Sequence, residues 1–215
     1  MDLQDRGRIL TSMALCVLVL VALVGASCQR PRSDTTGEGR AIAPSPPVMT
    51  GAASPRASSF IEVESPAFAN EGRIPEKYAG RGENSSPPLV WKGVPPGTKE
   101  IVVVMDDPDA PGSRPFVHWF VYGIDPNSGG IEEGVGSEPP RAALPPGAKR
   151  GRNDLGRASY FGPAPPPGPP HRYRIRVFAL GEPLGLDEGA DWPSVESRVT
   201  AAAIGYGELK GIYGT

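Results

Sequence analysis

Residues 101–124, IVVVMDDPDAPGSRPFVHWFVYGI, constrain the fold more than any other stretch of this 215-residue chain. Two apolar runs, rich in Val, Ile, Phe, Tyr and Trp, flank an acidic, proline-containing turn. Such residues suit a pleated, buried surface, so the pattern predicts two neighbouring strands joined by a turn that carries chemistry. The polar groups Asp106, Asp107 and Asp109 gather where the first run ends. Functional groups at the ends of rigid elements are expected of a site built on a sheet. On strict alternation, Phe116, His118, Phe120 and Tyr122 share one face of the second strand, and Val117, Trp119 and Val121 the other. Both faces are apolar, which predicts a strand covered on both sides and a His118 at the edge of a core. The plain alternative for His118 is a structural imidazole bonded to a backbone carbonyl. The acidic turn nearby favours a functional one.

A net charge of −2 supplies no basic field and argues against nucleic acid as a partner. The chain has 28 Gly and 27 Pro, and the prolines cluster, marking particular loops and a linker. Both cysteines, Cys16 and Cys28, lie near the N-terminus. The remainder therefore has neither a disulfide nor a thiolate zinc site to hold it together.

Arg6 and Arg8 precede an apolar run over residues 9–24, and Gly25, Ala26, Ser27 and Cys28 follow. Positive charge, apolar core and small-residue exit describe a secretory signal. A cysteine directly after the small residues resembles a bacterial lipobox, with Cys28 as the lipidated first residue of the mature chain. An uncleaved membrane anchor is the main alternative, since a span takes ~17–25 residues, and simple secretion is the other. All three readings place the rest of the chain outside the cytoplasm, and the lipoprotein reading places it in the cell envelope, facing the periplasm or the exterior. Residues 29–58 are rich in Pro, Ser, Gly and Ala without apolar periodicity, which predicts a disordered tether. The folded domain is then 59–215.

Within that domain, residues 60–64 alternate as a first strand, and Trp91 belongs to the core. Asn84 and Ser86 form a glycosylation sequon but serve better as turn-fixing side chains. Residues 144–170 make a long Gly/Pro-rich loop. Its prolines fix φ and restrain their predecessors, predicting a stiff wall beside a site. Residues 171–180 alternate strictly: His171 and Tyr173 face inward, while Arg172, Arg174 and Arg176 fall on a face expected to be solvated. Asp191 and Pro193 open a helix, and residues 208–213 form a last strand.

Two motifs carry a family resemblance. The first is Asp107-Pro108-Asp109-Ala110-Pro111 followed by His118-Trp119. The second is Gly151-Arg152-Asn153-Asp154-Leu155-Gly156, then Tyr160, Gly162-Pro163, Pro165-Pro166 and His171-Arg172-Tyr173. Together they resemble the phosphatidylethanolamine-binding protein family, in its bacterial branch called Raf kinase inhibitor-like proteins. The resemblance implies a mostly β fold: two packed, largely antiparallel sheets with a few short peripheral helices. It also implies that Asp107, Asp109, Pro111, His118, Gly162, Pro163, Pro165, His171 and Tyr173 line one small pocket that holds an anion such as phosphate or a phosphoryl head group. A bare carboxylate would repel such a ligand. The expected resolution is that an Asp bonds one nitrogen of a histidine and favours its charged form, so that binding strengthens where the histidines are protonated. No cofactor and no metal are expected, because no dense His spacing supports a metal site. Catalysis is not expected either: Ser113 and Ser159 lack a recognisable nucleophile context. A protein-interaction or inhibitor module, directed at a kinase or a protease, is the second reading. A cryptic hydrolase is the third.

Overall fold

The computed structural model describes residues 57–215. The expected signal, Cys28 and most of the expected tether lie outside the described residues. Strands β1 (Ser59–Phe60), β2 (Glu62–Glu64), β3 (Gly72–Arg73), β4 (Leu89–Lys92), β5 (Glu100–Asp107), β6 (Phe116–Ile124), β7 (Gly130–Ile131), β8 (Lys149–Arg150), β9 (His171–Leu180) and β10 (Ala203–Tyr213) form two sheets. The larger runs β1-β10-β9-β5-β6-β8, with β3 also paired to β10; the smaller runs β2-β4-β7. Every pairing is antiparallel except those of β1 and β3 with β10. One helix, α1 (Trp192–Ala202), and a 3-10 turn at Glu76–Tyr78 complete the described structure.

The expected first strand is divided between the sheets. Ser59 and Phe60 pair with Gly205 and Tyr206, the Ile61 N–H donates to the Tyr206 carbonyl at 2.8 Å, and Val63 then pairs with Trp91. Ile61, fully buried, is thus the point where the chain crosses from one sheet to the other. The last strand begins earlier than its alternation suggested, at Ala203.

All eight residues of β5 are buried. Ile101, Val103 and Met105 enter the core between the sheets with Val63, Leu89, Trp91, Ile131 and Ile175. Val102 and Val104 enter a second core, against Phe120, Phe178, Trp192 and Val199 under α1. Each such side chain contributes about 1.5–3 kcal/mol by leaving water. Asp191 sits at the N-cap of α1, but its side chain makes no capping bond; its carbonyl instead accepts from Ser194 N–H and Oγ, at 3.2 and 2.8 Å.

The charges on β5 stand at its ends, where partners exist. Glu100 accepts the Gly123 and Leu184 N–H groups, both at 2.8 Å. At the other end Asp106 meets Arg174 and Arg176. This corrects the solvated reading of the arginine row. Only Arg172 is exposed; Arg176 is buried, with its guanidinium 5.1 Å from the centre of the Trp192 ring. Burial of Asp106 requires such pairing, because an isolated buried carboxylate is very costly.

Candidate phosphoryl-binding site

The alternation expected for β6 fails at His118. Met105 pairs with Trp119 and Asp106 with Val117, so β6 carries one more residue than β5 over this step. This is a β-bulge, which re-aims a side chain. Val117 therefore joins Phe120 and Tyr122 in the core under α1, while Trp119 and Val121 face the core between the sheets. The His118 ring lies 5.3 Å from that of Tyr173, a member of the inter-sheet core.

His118 is doubly tied to Phe161. Its carbonyl accepts the Phe161 N–H at 3.0 Å, and its Nδ1 lies 2.6 Å from the Phe161 carbonyl. A carbonyl only accepts, so Nδ1 carries the proton and Nε2 holds the lone pair of the neutral ring. The Phe161 and His118 rings are parallel, with centroids 5.7 Å apart. Burial lowers the His118 pKa, against the opposing pull of the Phe161 bond and the Asp107 charge. The expectation that this site works through protonated histidines is thereby corrected for His118: a buried, neutral imidazole offers an acceptor, not a cation.

Asp107, buried at the end of β5, accepts the Asp109 N–H at 2.8 Å on Oδ1 and His171 Nδ1 at 2.8 Å on Oδ2. The expected Asp–His pair thus falls on His171, whose proton is fixed on Nδ1. Tyr173, two residues along the same face of β9, has a buried hydroxyl with no partner within hydrogen-bond distance, although it lies beside the Asp107 carboxylate and the Ala164 backbone. Burial raises its pKa, and the neighbouring Asp107 charge adds to the shift, so the phenol keeps its proton.

Asp109 lies at the margin. Its carboxylate is engaged by Arg172 through N–H at 2.9 Å and Nε at 2.8 Å, which holds its pKa down at about 2. Pro111 is exposed in the turn that follows. Gly162 and Pro163 are buried and pinned from outside the proline run: Asn84 Oδ1 accepts the Gly162 N–H at 2.8 Å, and Gly80 N–H donates to the Pro163 carbonyl at 2.9 Å. Only glycine fits at 162, since a Cβ there would stand 2.2 Å from the Tyr78 carbonyl oxygen. Pro165 lines a separate cavity of about 220 Å³ with Arg73, Arg81 and Tyr213. Asn84, read from sequence as a turn residue, in fact holds the wall, at a left-handed φ of 52°. Asn tolerates that region better than most residues, which is the one signal the sequence offered.

The two imidazoles, Asp107 and Tyr173 thus converge from β5, β6 and β9, with the 160–163 segment stacked beside His118. Among the described residues, no group of three or more His, Cys, Asp or Glu is placed to hold a metal ion. Ser159 donates to Glu138 at 3.1 Å, and Ser113 is exposed.

A model of the family described as "Phosphatidylethanolamine-binding protein" matches residues 64–214. The chain belongs to this family. It is 42% identical over 153 residues to a UPF0098 protein of Methanothermobacter thermautotrophicus, covering 71% of this chain and 98% of the relative. It is 37% identical over 158 residues to a Mycobacterium tuberculosis protein named "Putative lipoprotein LppC", covering 73% and 74% respectively. The crystal structure of E. coli YbcL, described as a member of the mammalian family of these proteins, superimposes with a TM-score of 0.68 at 31% identity, over 72% of this chain and 98% of YbcL. The family's fold is therefore the fold of this chain, and the motif resemblance to its bacterial members holds.

Proposed function

We propose that this member of the phosphatidylethanolamine-binding protein family is a membrane-tethered, extracytoplasmic binding protein that takes a small anion or a phosphoryl head group and performs no catalysis on it. The observation that carries the reading is the placement of the Asp107–His171 pair beside a neutral His118 and a Tyr173 hydroxyl without a partner. The Tyr173 hydroxyl keeps its proton beside the Asp107 carboxylate and can turn it toward a phosphoryl oxygen that enters the site. His118 Nε2 is an acceptor suited to the P–O–H of a monoprotonated phosphate. Asp107 spends its charge on His171 and on the Asp109 N–H, which lessens its repulsion of the ligand. The absence of catalysis is supported by the serines: neither Ser113 nor Ser159 has a histidine as its hydrogen-bond partner, and an activated nucleophile needs a base within reach. Attachment to the envelope is supported by the small-residue exit before Cys28 and by the lipoprotein name of the mycobacterial relative.

Thermal shift of the full chain in detergent, with inorganic phosphate and with phosphoethanolamine, tests the site. A ligand at 100 times its Kd adds about 2.7 kcal/mol of stability. That gain disappears in His171→Ala if the site is as proposed. A ligand shift of the same size in wild type and variant would place binding elsewhere. Cys28→Ser tests the anchor: the variant leaves the membrane fraction if lipid attachment at Cys28 holds the chain there, and stays with it if a helix does.

A further inference from the structure

The arginine row faces the side of the large sheet opposite to His118. Here Asp106, Arg114, Arg174, Arg176, Trp192 and Glu196 line a cavity of about 200 Å³ at the start of α1. Asp106 takes Arg174 Nε at 2.8 Å and Nη2 at 3.1 Å, together with Arg176 Nη2. Glu196 approaches Arg176 Nη1 only at 3.5 Å, and Asp154 holds Arg114 through two bonds of 2.8 Å. A guanidinium carries five N–H donors, so one carboxylate cannot satisfy two of them. The surplus is concrete at Arg176, which is buried and whose Nε–H has no acceptor among the described residues. A buried, unsatisfied donor beside a charge costs stability, and arginine pairs favour planar or tetrahedral oxyanions that take several N–H groups at once.

We propose a second binding site in this cavity, for a small oxyanion, carboxylate or phosphate, received by Arg174 and Arg176. It shares no residue with the front site. Asp106 keeps the two guanidiniums in place, and the Trp192 ring covers the Arg176 face. The cavity volume suits a ligand of a few heavy atoms.

The test is NMR of the full chain in detergent, following the Arg176 Nε–H and Trp192 indole signals during separate titrations with sodium phosphate and sodium acetate, against sodium chloride at matched ionic strength. Saturable movement with phosphate or acetate, but not with chloride, is expected, and which of the two saturates first identifies the source of the oxyanion. His171→Ala, which disables the front site, leaves this movement intact. Arg176→Lys, which keeps the charge but removes the fork, weakens it by about tenfold, as one charge-assisted hydrogen bond is worth. Arg114→Gln, at an exposed position, keeps the fold readable if Arg176→Lys unfolds, and weakens the movement through the loss of a lining cation. No movement with either oxyanion, or equal movement with chloride, overturns the proposal whatever the front site does.

Discussion

Asp106 and Asp107 are consecutive in sequence and serve opposite faces of the central sheet: Asp106 accepts from Arg174 and Arg176 on the helix-covered side, and Asp107 accepts from His171 Nδ1 on the other. Strand geometry alone separates them, since successive side chains point to opposite faces. The two carboxylates differ in what they hold. Asp106, 1% exposed, keeps the buried Arg176 and the half-buried Arg174 compensated; Asp107 orients one partly accessible imidazole.

The first prediction follows from this contrast. Asp106→Asn strands the buried Arg176 and removes the partner of the half-buried Arg174, and costs about 3–5 kcal/mol, the range for breaking a buried ion pair by removing one partner. Asp107→Asn retains an acceptor oxygen for His171 and costs about 1–2 kcal/mol, near the value of one charge-assisted hydrogen bond. Its larger effect falls on ligand binding, through the lost orientation of His171. Urea denaturation of both variants compares them directly; equal costs would show that the Asp106 cluster is not the anchor described above.

His118 makes stability depend on pH. Its folded pKa lies below the ordinary value of 6.5, because burial disfavours the charged ring. Below that value the unfolded chain binds a proton that the folded chain does not. This contribution to stability is therefore present above about pH 6.5 and is lost as pH falls toward the folded pKa, by at most about 1.4 kcal/mol per pH unit. His118→Gln can still donate to the Phe161 carbonyl but does not titrate. Its stability should be flatter than wild type between about pH 7.5 and 5.5, with the linkage slope as the measure. Parallel curves would mean that the ring titrates freely in the fold.

Much of this architecture was legible in the chain. The apolar runs around the acidic turn mark β5 and β6, and the two motifs give the family and the expectation of an Asp–His bond, while the structure is what assigns that bond to Asp107 and His171, 64 residues apart. Three features escaped. The bulge at His118 depends on how β6 registers against β5, and a period of two along one strand cannot reveal it. The arginine row reads as solvated by in/out patterning, yet Asp106 lies 68 and 70 residues from Arg174 and Arg176, and the helix that buries them comes later still. The crossing at Ile61 leaves the alternation of residues 60–64 unbroken while their pairing partners change.

Gly162 tests whether the wall beside His118 depends on close backbone approach. A methyl group there would meet the Tyr78 carbonyl, the Ala79 carbonyl carbon and the Gly80 nitrogen within 2.7 Å, all backbone atoms that cannot rotate away. Gly162→Ala should cost about 1–3 kcal/mol or more, as overpacking does. It should also displace Phe161, the partner of His118, so the His118 ring signals in NMR should move with the loss of stability. A variant as stable as wild type, with unmoved His118 signals, would show that the segment yields freely.

Tyr173 separates binding from folding. Its hydroxyl is buried without a hydrogen bond, and a polar group left so is a cost that the apolar isostere does not carry. Removing it leaves the ring's packing against His118 in place. Tyr173→Phe should therefore be neutral or more stable by up to about 1 kcal/mol in the absence of ligand, the trade expected at a site kept for function. Phosphate or phosphoethanolamine should then bind about tenfold more weakly, since one donor to the phosphoryl oxygen is gone. Calorimetric titration beside thermal unfolding reads both quantities on the same sample. A variant that loses stability while keeping its affinity would show that the hydroxyl serves the core and not a ligand.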